Sequence, residues 1–479
     1  MQNQDKLSGP IAGALAGGGD PATSALYVFG PFLRLIVPAG VAGITFGPSV
    51  WLVVITVAVV SLMYRLVMRW VTDGTGGSGL SEDEFGPTVA KMNASLTFIE
   101  YSLTFLVSMA ALVTFLVDRI PTLTSTIAGI DLRLVVAVAL SAGTAAVVAR
   151  GPRIAAMAFG PATAGVLLLL FTLMGATVWR YGLRLPGFSL RAFQPDLIGF
   201  TLGGFARILA LMTGIEVFAN LVAAYDGNDR TRSRNAFWSL VIIMGTTSAT
   251  MLIVGPAILE LSDPLRDDVS VFTQTMDALL PQPLAYLGTG IGVAVLLSAC
   301  ATALQGIAHL GHGLQHRHYL PPFLGRTNRH GIAARMLWLE TTVAGACFAL
   351  LGTREETYLT LYAAGVFVLL SSTGWAAARR LSGRVRQDAS STLVMQLAGV
   401  GVAASMTSVA TVIVFYERFR DGVWLYFLLV PLLHAGMSAA RRILGAPDPE
   451  EDLLGRRIAC SCPTTRALAC SCHGCLPQP

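Results

Sequence analysis

The chain contains 479 residues, of which 54% are hydrophobic and only 13% are Asp, Glu, Lys or Arg. Its mean hydropathy is +0.64, whereas a soluble domain carries about 25% charged residues. Many apolar runs are long enough to cross the roughly 30 Å hydrocarbon layer of a bilayer. These values exclude a cytosolic enzyme, a secreted disulfide scaffold and a disordered protein, and they predict a chain that crosses a membrane several times.

The apolar runs predict helices rather than barrel strands. Only these two architectures satisfy every backbone group in lipid, and a run such as residues 50–60 lacks the alternation of a barrel strand. The first nine residues are polar, and no short apolar core with a small-residue cleavage site follows them. No cleaved signal peptide is expected.

Breaks between the apolar runs predict an all-α polytopic membrane protein with about twelve transmembrane helices. The first span contains Gly17, Gly18, Gly19, Asp20 and Pro21, and the sixth contains the run 213–216. Because Gly and Pro free the backbone from the helical ladder, both spans are expected to be broken helices. The predicted spans are 9–39, 46–70, 88–117, 132–150, 154–179, 198–225, 235–259, 281–310, 331–352, 358–379, 391–416 and 422–443.

Two broken helices five spans apart predict two inverted five-helix repeats followed by two further helices, the plan of secondary transporters. Spans 1 and 6 then meet near the bilayer midplane, with spans 3, 8 and 10 around them. The alternative is that Gly and Pro only kink packed helices. The predicted transporter domain covers residues 1–445, with repeat one at about 9–179, repeat two at about 198–380 and the last two spans within 391–443.

Positive charge predicts the orientation, since cytoplasmic loops collect Lys and Arg. With the N-terminus inside, 22 of the 33 basic residues fall on inner segments and nine on outer ones. Both termini are therefore expected in the cytoplasm, and the protein in the plasma (inner) membrane with the lipid bilayer around it. The same bias accounts for the net charge of +5, so no nucleic-acid partner is expected.

Ionisable residues inside spans are costly and are functional candidates by default. Asp20 lies at the first break, Glu100 in the third span and Glu216 at the sixth break. Thr104 and Ser108 follow Glu100 at intervals of four residues, which places one carboxylate and two hydroxyls on one helical stripe. The alternative is that the two hydroxyls only bond to the preceding helical turn.

The charge of these groups predicts the substrate class. A carrier of neutral amino acids holds the substrate carboxylate at the positive ends of half-helices, and acidic groups at both breaks would repel it. Carboxylate, hydroxyl and carbonyl oxygens suit an alkali metal ion or a proton. Burial and a like charge nearby both favour the protonated form of a carboxylic acid, and Glu216 is the candidate for proton coupling.

Six segments resemble the amino acid–polyamine–organocation (APC) superfamily. They read GGGDPATSALYVFG (17–30), EYSLTFLVSMAALVT (100–114), TGIEVFANLVAAY (213–225), SRNA (233–236), LYAAGVF (361–367) and GVWLYFLLVPLL (422–433). Within the superfamily they are most similar to the Kim-type potassium permeases, which are related to the KUP potassium uptake family. The similarity covers nearly all of residues 10–445.

The resemblance implies a LeuT-type inverted repeat and potassium/proton symport. It assigns cation-binding roles to eight positions, of which Tyr27 and Tyr362 rest on the resemblance alone. These positions are Asp20, Tyr27, Glu100, Thr104, Ser108, Thr213, Glu216 and Tyr362.

The chain departs from the Kim-type pattern at three places. The family usually has Asp where this chain has Glu100, and it carries acidic residues soon after the tyrosine, where this chain has Arg34. If Arg34 faces the pathway it repels cations, and if it leans outward it reaches the membrane interface. About 35 residues follow the last span, too few for the cytoplasmic domain that binds cyclic-di-AMP in Kim-type proteins.

Two clusters lie outside the predicted site. His309, His312 and His316 share a face if the eighth helix extends inward, which leaves a metal site or pH sensor open beside a basic solvated loop. The tail, residues 446–479, is predicted to be cytoplasmic and disordered, with metal binding or palmitoylation as alternatives. Its candidate ligands are Cys460, Cys462, Cys470, Cys472, His473 and Cys475.

Three functions are therefore compatible with the sequence. The first is potassium uptake by symport with protons, the second is transport of an amino acid or polyamine by the same fold, and the third is a sensor that does not transport. No motif for a dehydrogenase, kinase or hydrolase stands out, so neither enzyme activity nor a cofactor is expected. The oligomeric state stays open.

Overall fold

A computed structural model of the chain describes residues 6–127, 129–151, 161–266, 269–388 and 390–447. Within these ranges, ten helices are long and apolar enough to cross a membrane. The first predicted span is divided into three short helices, and the fourth is the 17-residue apolar helix Leu132–Val148. The described chain is an all-α polytopic membrane protein, as the sequence predicts.

The helices follow one another with short connections. In the first half they are α1 (Pro10–Gly17), α2 (Gly19–Tyr27), α3 (Phe29–Ile36), α4 (Ala42–Trp70), α5 (Gly76–Phe85), α6 (Pro87–Arg119), α7 (Leu132–Val148), α8 (Pro161–Tyr181), α9 (Ile198–Ile208) and α10 (Ile215–Asn220). In the second half they are α11 (Asp229–Ile253), α12 (Gly255–Leu261), α13 (Val271–Leu279), α14 (Gln282–His316), α15 (Pro322–Gly325), α16 (Ala334–Leu351), α17 (Glu355–Gln387), α18 (Ser391–Arg418) and α19 (Tyr426–Leu444). One small antiparallel hairpin pairs β1 (Thr126–Ile127) with β2 (Ile130–Asp131).

The predicted spans agree with these helices, and the differences lie at their ends. The helix of the seventh predicted span, α11, begins at Asp229, six residues earlier than expected. The Asn228 side chain caps this helix, because it accepts a hydrogen bond from the Thr231 N–H at 2.9 Å. The helix of the tenth predicted span, α17, continues past the predicted end at residue 379 to Gln387. Residues 154–160 of the fifth predicted span lie outside the described residues. The division into two repeats stays a prediction.

The first segment, α1 to α3, breaks twice, and a proline follows each break. Pro21 and Pro31 have no N–H, so the carbonyls of Gly17 and Tyr27 lose their helical partner four residues later. The helices end at those two residues. The first break lies in the predicted run, whereas the break at Val28 was not predicted.

The sixth segment breaks where the sequence predicts. After α9, the chain tightens into a 3₁₀ turn over Leu209–Met212 and then turns at Gly214, whose φ is 88°. This left-handed conformation suits glycine because it has no Cβ. The short helix α10 follows, and a second 3₁₀ turn, Leu221–Ala224, ends the segment.

The two broken segments lie among long helices. α14 and α17 pack along α6, and α2 packs against α14. Most buried apolar side chains of the spans form one continuous core, and Leu314, Tyr319 and Met437 form a small second cluster. We call the end of the bundle where α1 begins the N-terminal side, and the other end the opposite side.

The short helix α5 is held by charges on the N-terminal side. Glu82 accepts from the Arg317 guanidinium at 2.9 Å, and Arg380 pairs with Glu84 at 2.7 Å and with Asp83 at 3.1 Å. These bonds fasten the C-terminal half of α5 to the end of α14 and to α17.

A backbone bridge joins the start of the chain to the end of the sixth segment. The Leu7 N–H donates to the Ala224 carbonyl at 3.0 Å, and the Asp226 N–H donates to the Leu7 carbonyl at 3.1 Å. Beside the bridge, the Ser239 hydroxyl lies 2.6 Å from the Pro10 carbonyl and 2.5 Å from the Tyr225 hydroxyl. Segments 1 and 6 are thus tied together on the N-terminal side.

Candidate functional site

The breaks of segments 1 and 6 meet in the interior of the bundle. Gly214 lies so close to Pro21 that a Cβ added to the glycine would be 2.2 Å from the proline Cγ. The free backbone groups and polar side chains of both breaks therefore converge on one place, as expected for a broken-helix transporter.

Asp20 is a buried acid with few partners at this meeting point. Its side chain is 7% exposed, and its Oδ2 accepts one long hydrogen bond, 3.5 Å, from the Tyr362 hydroxyl. Its Oδ1 has no partner among the described residues. Leaving a buried polar atom unpaired costs about 1–3 kcal/mol and more for a charged group, so this carboxylate is suited to bind a cation.

Tyr27 is connected to Thr213 by a chain of hydroxyls. The Thr213 hydroxyl donates to the Ala210 carbonyl at 2.8 Å, so it accepts from Ser24, which lies 3.2 Å away. The Ser24 proton is then used, and the Tyr27 hydroxyl, 3.3 Å from Ser24, donates to it. In this arrangement the lone pairs of the Tyr27 oxygen stay available. The sequence reasoning missed Ser24.

Glu100 supplies a second acid from α6. Its half-buried carboxylate makes no hydrogen bond or ion pair within the described part of the chain. The charged groups that act on it are Glu216 and Asp20, both acidic. No basic side chain offsets the negative charge of Asp20 and Glu100 in the structure as described.

The two hydroxyls of the predicted stripe differ from each other. Thr104 donates to the Glu100 carbonyl at 2.9 Å, which is the bond to the preceding turn that the sequence left open. Ser108 is buried, and its Oγ has no partner among the residues described. Of the two, Ser108 is the better placed to bind a ligand.

Glu216 lies against a different set of groups from Asp20. Its carboxylate accepts hydrogen bonds from the Tyr64 hydroxyl of α4, from the Gly77 N–H at 2.7 Å and from the Ser78 N–H at 3.2 Å. The last two groups belong to the first turn of α5, where the helix dipole favours an anion. Glu216 therefore links the sixth segment to α5 on the N-terminal side.

The glycine pair before Ser78 makes this link possible. A Cβ on Gly77 would lie 3.0 Å from a carboxylate oxygen of Glu216 and 2.2 Å from Thr373. Gly76 has φ 58° and is equally close to the carboxylate. Sequence reasoning missed Tyr64 and both glycines, although the run TDGTGGSG (72–79) marks a loop in which backbone amides can approach an anion.

Arg34 is held on the opposite side by an acid of α17 and a backbone carbonyl. It pairs with Glu356, the second residue of α17, at 2.9 Å and donates through Nε to the Pro264 carbonyl at 2.9 Å. Both charged side chains are about one third exposed, at 32% and 34%. The structure pairs Arg34 with Glu356 of α17, and this latch connects segment 1 to α17 on the opposite side.

A small cavity separates this latch from Tyr27. Its volume is about 30 Å³, and Tyr27, Arg34, Phe115, Ser270 and Glu355 are among its lining residues. This space holds about two water molecules. The cavity therefore lies between Tyr27 and the opposite side, and its charged lining is mixed, with two arginines (Arg34 and Arg266) and two glutamates (Glu355 and Glu356).

Glu340 is a buried acid that the sequence reasoning missed. It is 2% exposed in α16, its Oε2 accepts from the Ser102 hydroxyl at 2.8 Å, and its Oε1 has no described partner. Ser102 lies two residues after Glu100 and hence about 200° around α6. Glu340 therefore contacts the face of α6 that points away from the predicted stripe. A search for every acid inside the ninth span would have found it.

The histidine cluster at the end of α14 forms no metal site among the described residues. The Nε2 atoms of His312 and His316 are 3.2 Å apart, and His312 Nδ1 is 3.2 Å from the Gly325 carbonyl. No group of three His, Cys, Asp or Glu side chains that could hold a metal occurs among the described residues. The tail ligands at 460–475 lie outside those residues.

The sequence comparison agrees with the broken-helix architecture. The sequence model of the amino acid permease family matches residues 17–438. The chain belongs to this family and is an APC-superfamily permease, a class of transporters rather than enzymes. No curated protein matches it. The match includes both breaks and all eight predicted site positions.

Proposed function

We propose that the protein is a secondary active transporter whose substrate is a cation, with potassium taken up together with a proton as the specific case. The observation that carries this proposal is Asp20, a buried carboxylate with one oxygen unpaired. Glu100 adds a second acid, and no basic group faces either of them in the described structure. A cation removes the cost of burying these charges.

The position of the acids argues against a neutral amino acid. Asp20 lies in the first turn of α2 and Glu216 in the first turn of α10. A substrate carboxylate would need these positive helix ends. Each of these helix ends carries an acidic side chain in its first turn, which would repel a substrate carboxylate.

The available oxygens suit an alkali metal ion. Besides Asp20 and Glu100, the Ser108 hydroxyl is unpaired, the Tyr27 oxygen retains its lone pairs, and the Gly17 carbonyl lacks a partner from Pro21. Hard cations prefer such oxygen ligands. For K⁺, the number of these oxygens and the room around them set the selectivity.

Glu216 is the proposed proton-coupling group. A carboxylate binds the amides of Gly77 and Ser78 as an acceptor, and a proton on it weakens these bonds. Protonation then loosens α5 from the sixth segment on the N-terminal side. Each charge that crosses 100 mV gains about 2.3 kcal/mol, which is roughly a fifty-fold accumulation, and a coupled proton multiplies it.

The proposed orientation has both termini in the cytoplasm, and the proposed location is the plasma membrane. The excess of Lys and Arg on the N-terminal side supports it. The Arg34–Glu356 latch then faces outward, and α5 faces the cytoplasm.

Rubidium-86 uptake into proteoliposomes tests the proposal. With an imposed potential and pH gradient, we expect wild-type uptake that potassium competes away and that Asp20→Asn reduces at least tenfold. Asp196→Asn, in an exposed loop, is the matched control and should transport normally. Uptake unchanged in Asp20→Asn would contradict the proposed site.

The second candidate is an amino-acid or polyamine permease, which the family description favours. A polyamine is a cation and fits the same acids. Millimolar amino acids and polyamines separate the two cases, because they should leave rubidium uptake unchanged in a potassium transporter. No rubidium uptake together with uptake of a labelled amine would establish this second function.

A further inference from the structure

We propose that Asn93 is a second coordination point for the transported cation, on the N-terminal side of Glu100. The inference rests on the proposed cation transport and extends it with a binding position for the ion along its route. Asn93 lies in the second turn of α6, outside all the positions assigned above.

The placement of Asn93 follows from helix geometry. It precedes Glu100 by seven residues, which is two turns or about 10 Å along the axis. At 100° per residue the two side chains lie within about 20° of each other around the helix. Thr97 and Thr104 lie on the same side, so the stripe of polar residues on α6 extends further toward the N-terminal side than the sequence analysis recognised.

The amide of Asn93 has unused hydrogen-bonding capacity. The residue is 1% exposed, and neither Oδ1 nor Nδ2 has a partner among the described residues. Buried polar atoms are paired in more than about nine cases in ten, and exceptions call for a physical reason such as an ion. Ser108 on the same side of the helix is unpaired too, and so is one oxygen of Asp20, whose charge acts on Glu100.

A neighbouring residue shows that buried polar side chains at the start of α6 do not generally lack hydrogen-bond partners. Ser95 is also buried, but it lies about 200° around the helix from Asn93. Its hydroxyl donates to the Lys91 carbonyl at 2.9 Å and is satisfied. The unpaired groups thus belong to one face of α6, the face that carries Glu100.

The chemistry of an amide suits a transient ion position. The Asn93 carbonyl oxygen is a hard, neutral ligand of the kind that alkali and alkaline-earth ions accept. Since it carries no charge, it holds a cation less strongly than Asp20 and Glu100 do. Conduction and release require binding that is strong enough to enter and weak enough to leave. We therefore assign Asn93 a role in passing the ion between the central acids and the N-terminal side.

The test separates binding from movement in the full-length protein. Asn93→Leu removes the oxygen at similar volume, Asn93→Ser restores one oxygen, and Ser95→Ala is the matched control. Rubidium-86 binding is measured on purified protein, and rubidium-86 uptake at saturating rubidium is measured in proteoliposomes. We expect Asn93→Leu to bind with a Kd within twofold of wild type but to transport at least tenfold more slowly. The uptake rate of Asn93→Ser should lie between those of Asn93→Leu and wild type, and the uptake rate of Ser95→Ala should match wild type.

Each other result overturns the inference. Uptake by Asn93→Leu within twofold of wild type removes any role on the route, and an equal loss of binding and uptake makes Asn93 a support of the central site. If Asn93→Leu does not fold, Asn93→Ser decides, and uptake equal to wild type contradicts the inference. If the wild-type protein neither binds nor transports rubidium, the proposed function itself is overturned. If the wild type transports rubidium and the Asn93 variant does so equally well, only the inference about Asn93 is overturned.

Discussion

Pro21 packs directly on Gly214, and this contact joins the breaks of the first and sixth segments. A Cβ at residue 214 would lie 2.2 Å from the Pro21 Cγ, far inside van der Waals contact. The glycine also has φ 88°, a conformation that other residues adopt at a cost of about 1–3 kcal/mol. The meeting of the two segments therefore depends on the absence of one methyl group.

Gly214→Ala should destabilise the protein, because backbone strain and overlap with Pro21 add to each other. We expect a loss of at least about 2 kcal/mol, measured as a lower thermal midpoint in detergent. Gly245→Ala is the control, since a Cβ there meets nothing within 4 Å. Equal midpoints for the two variants would show that the segments can separate without loss.

Glu216→Gln should abolish concentrative uptake driven by a pH gradient. The amide keeps the shape of the side chain, but it lacks the charge that holds the Gly77 and Ser78 amides and it cannot take up a proton. Rubidium exchange without a gradient should persist. Glu260→Gln, an exposed acid at the end of α12, is the control. Full accumulation in Glu216→Gln would rule out proton coupling at this residue.

Arg34→Ala should open the opposite side. Removing the guanidinium breaks both the pair with Glu356 and the bond to the Pro264 carbonyl. The measurement is the rate at which a charged thiol reagent labels a cysteine at Ala111, which lines the small cavity. We expect at least a several-fold increase relative to the same cysteine with Arg34 intact. An unchanged rate would mean that other contacts close this side.

Glu100 and Glu340 should differ although both are acids inside spans. Glu100→Gln is expected to weaken rubidium binding at least tenfold, since it removes a charge beside Asp20. Glu340→Gln keeps the bond from Ser102 on the other face of α6, so binding should stay within twofold of wild type. Equilibrium binding of rubidium-86 checks both variants. A similar loss of rubidium affinity in the two would contradict a specific role for Glu100, because any negative charge near α6 would then support binding.

Much of the fold could be predicted from the sequence because its signals are strong in a bilayer. Long apolar runs locate the spans, and Gly and Pro locate the break at Gly18 and the turn at Gly214. The break at Val28 was missed, although Pro31 follows it by the same spacing as Pro21 follows Gly18. Helix ends were less accurate, since caps such as Asn228 depend on a single side chain.

The partners within the site could not be predicted in the same way. That Asp20 and Glu216 face one ion stays a prediction, but nothing in the sequence indicated that Glu216 is bound by amides of α5, which lies more than a hundred residues away along the chain. Such a contact leaves no periodic pattern. Asn93 was missed for another reason: an asparagine carries no charge, and only its lack of a partner sets it apart.

The bridge between Leu7 and the end of the sixth segment has an evolutionary consequence. Its two bonds join main-chain groups, so almost any side chain at residue 7 can preserve them, and only proline removes a donor. Selection can therefore preserve this backbone bridge while the residue at position 7 changes. A bridge between main-chain groups leaves little trace in residue identities. The charge pairs that hold α5 differ, because they require particular side chains.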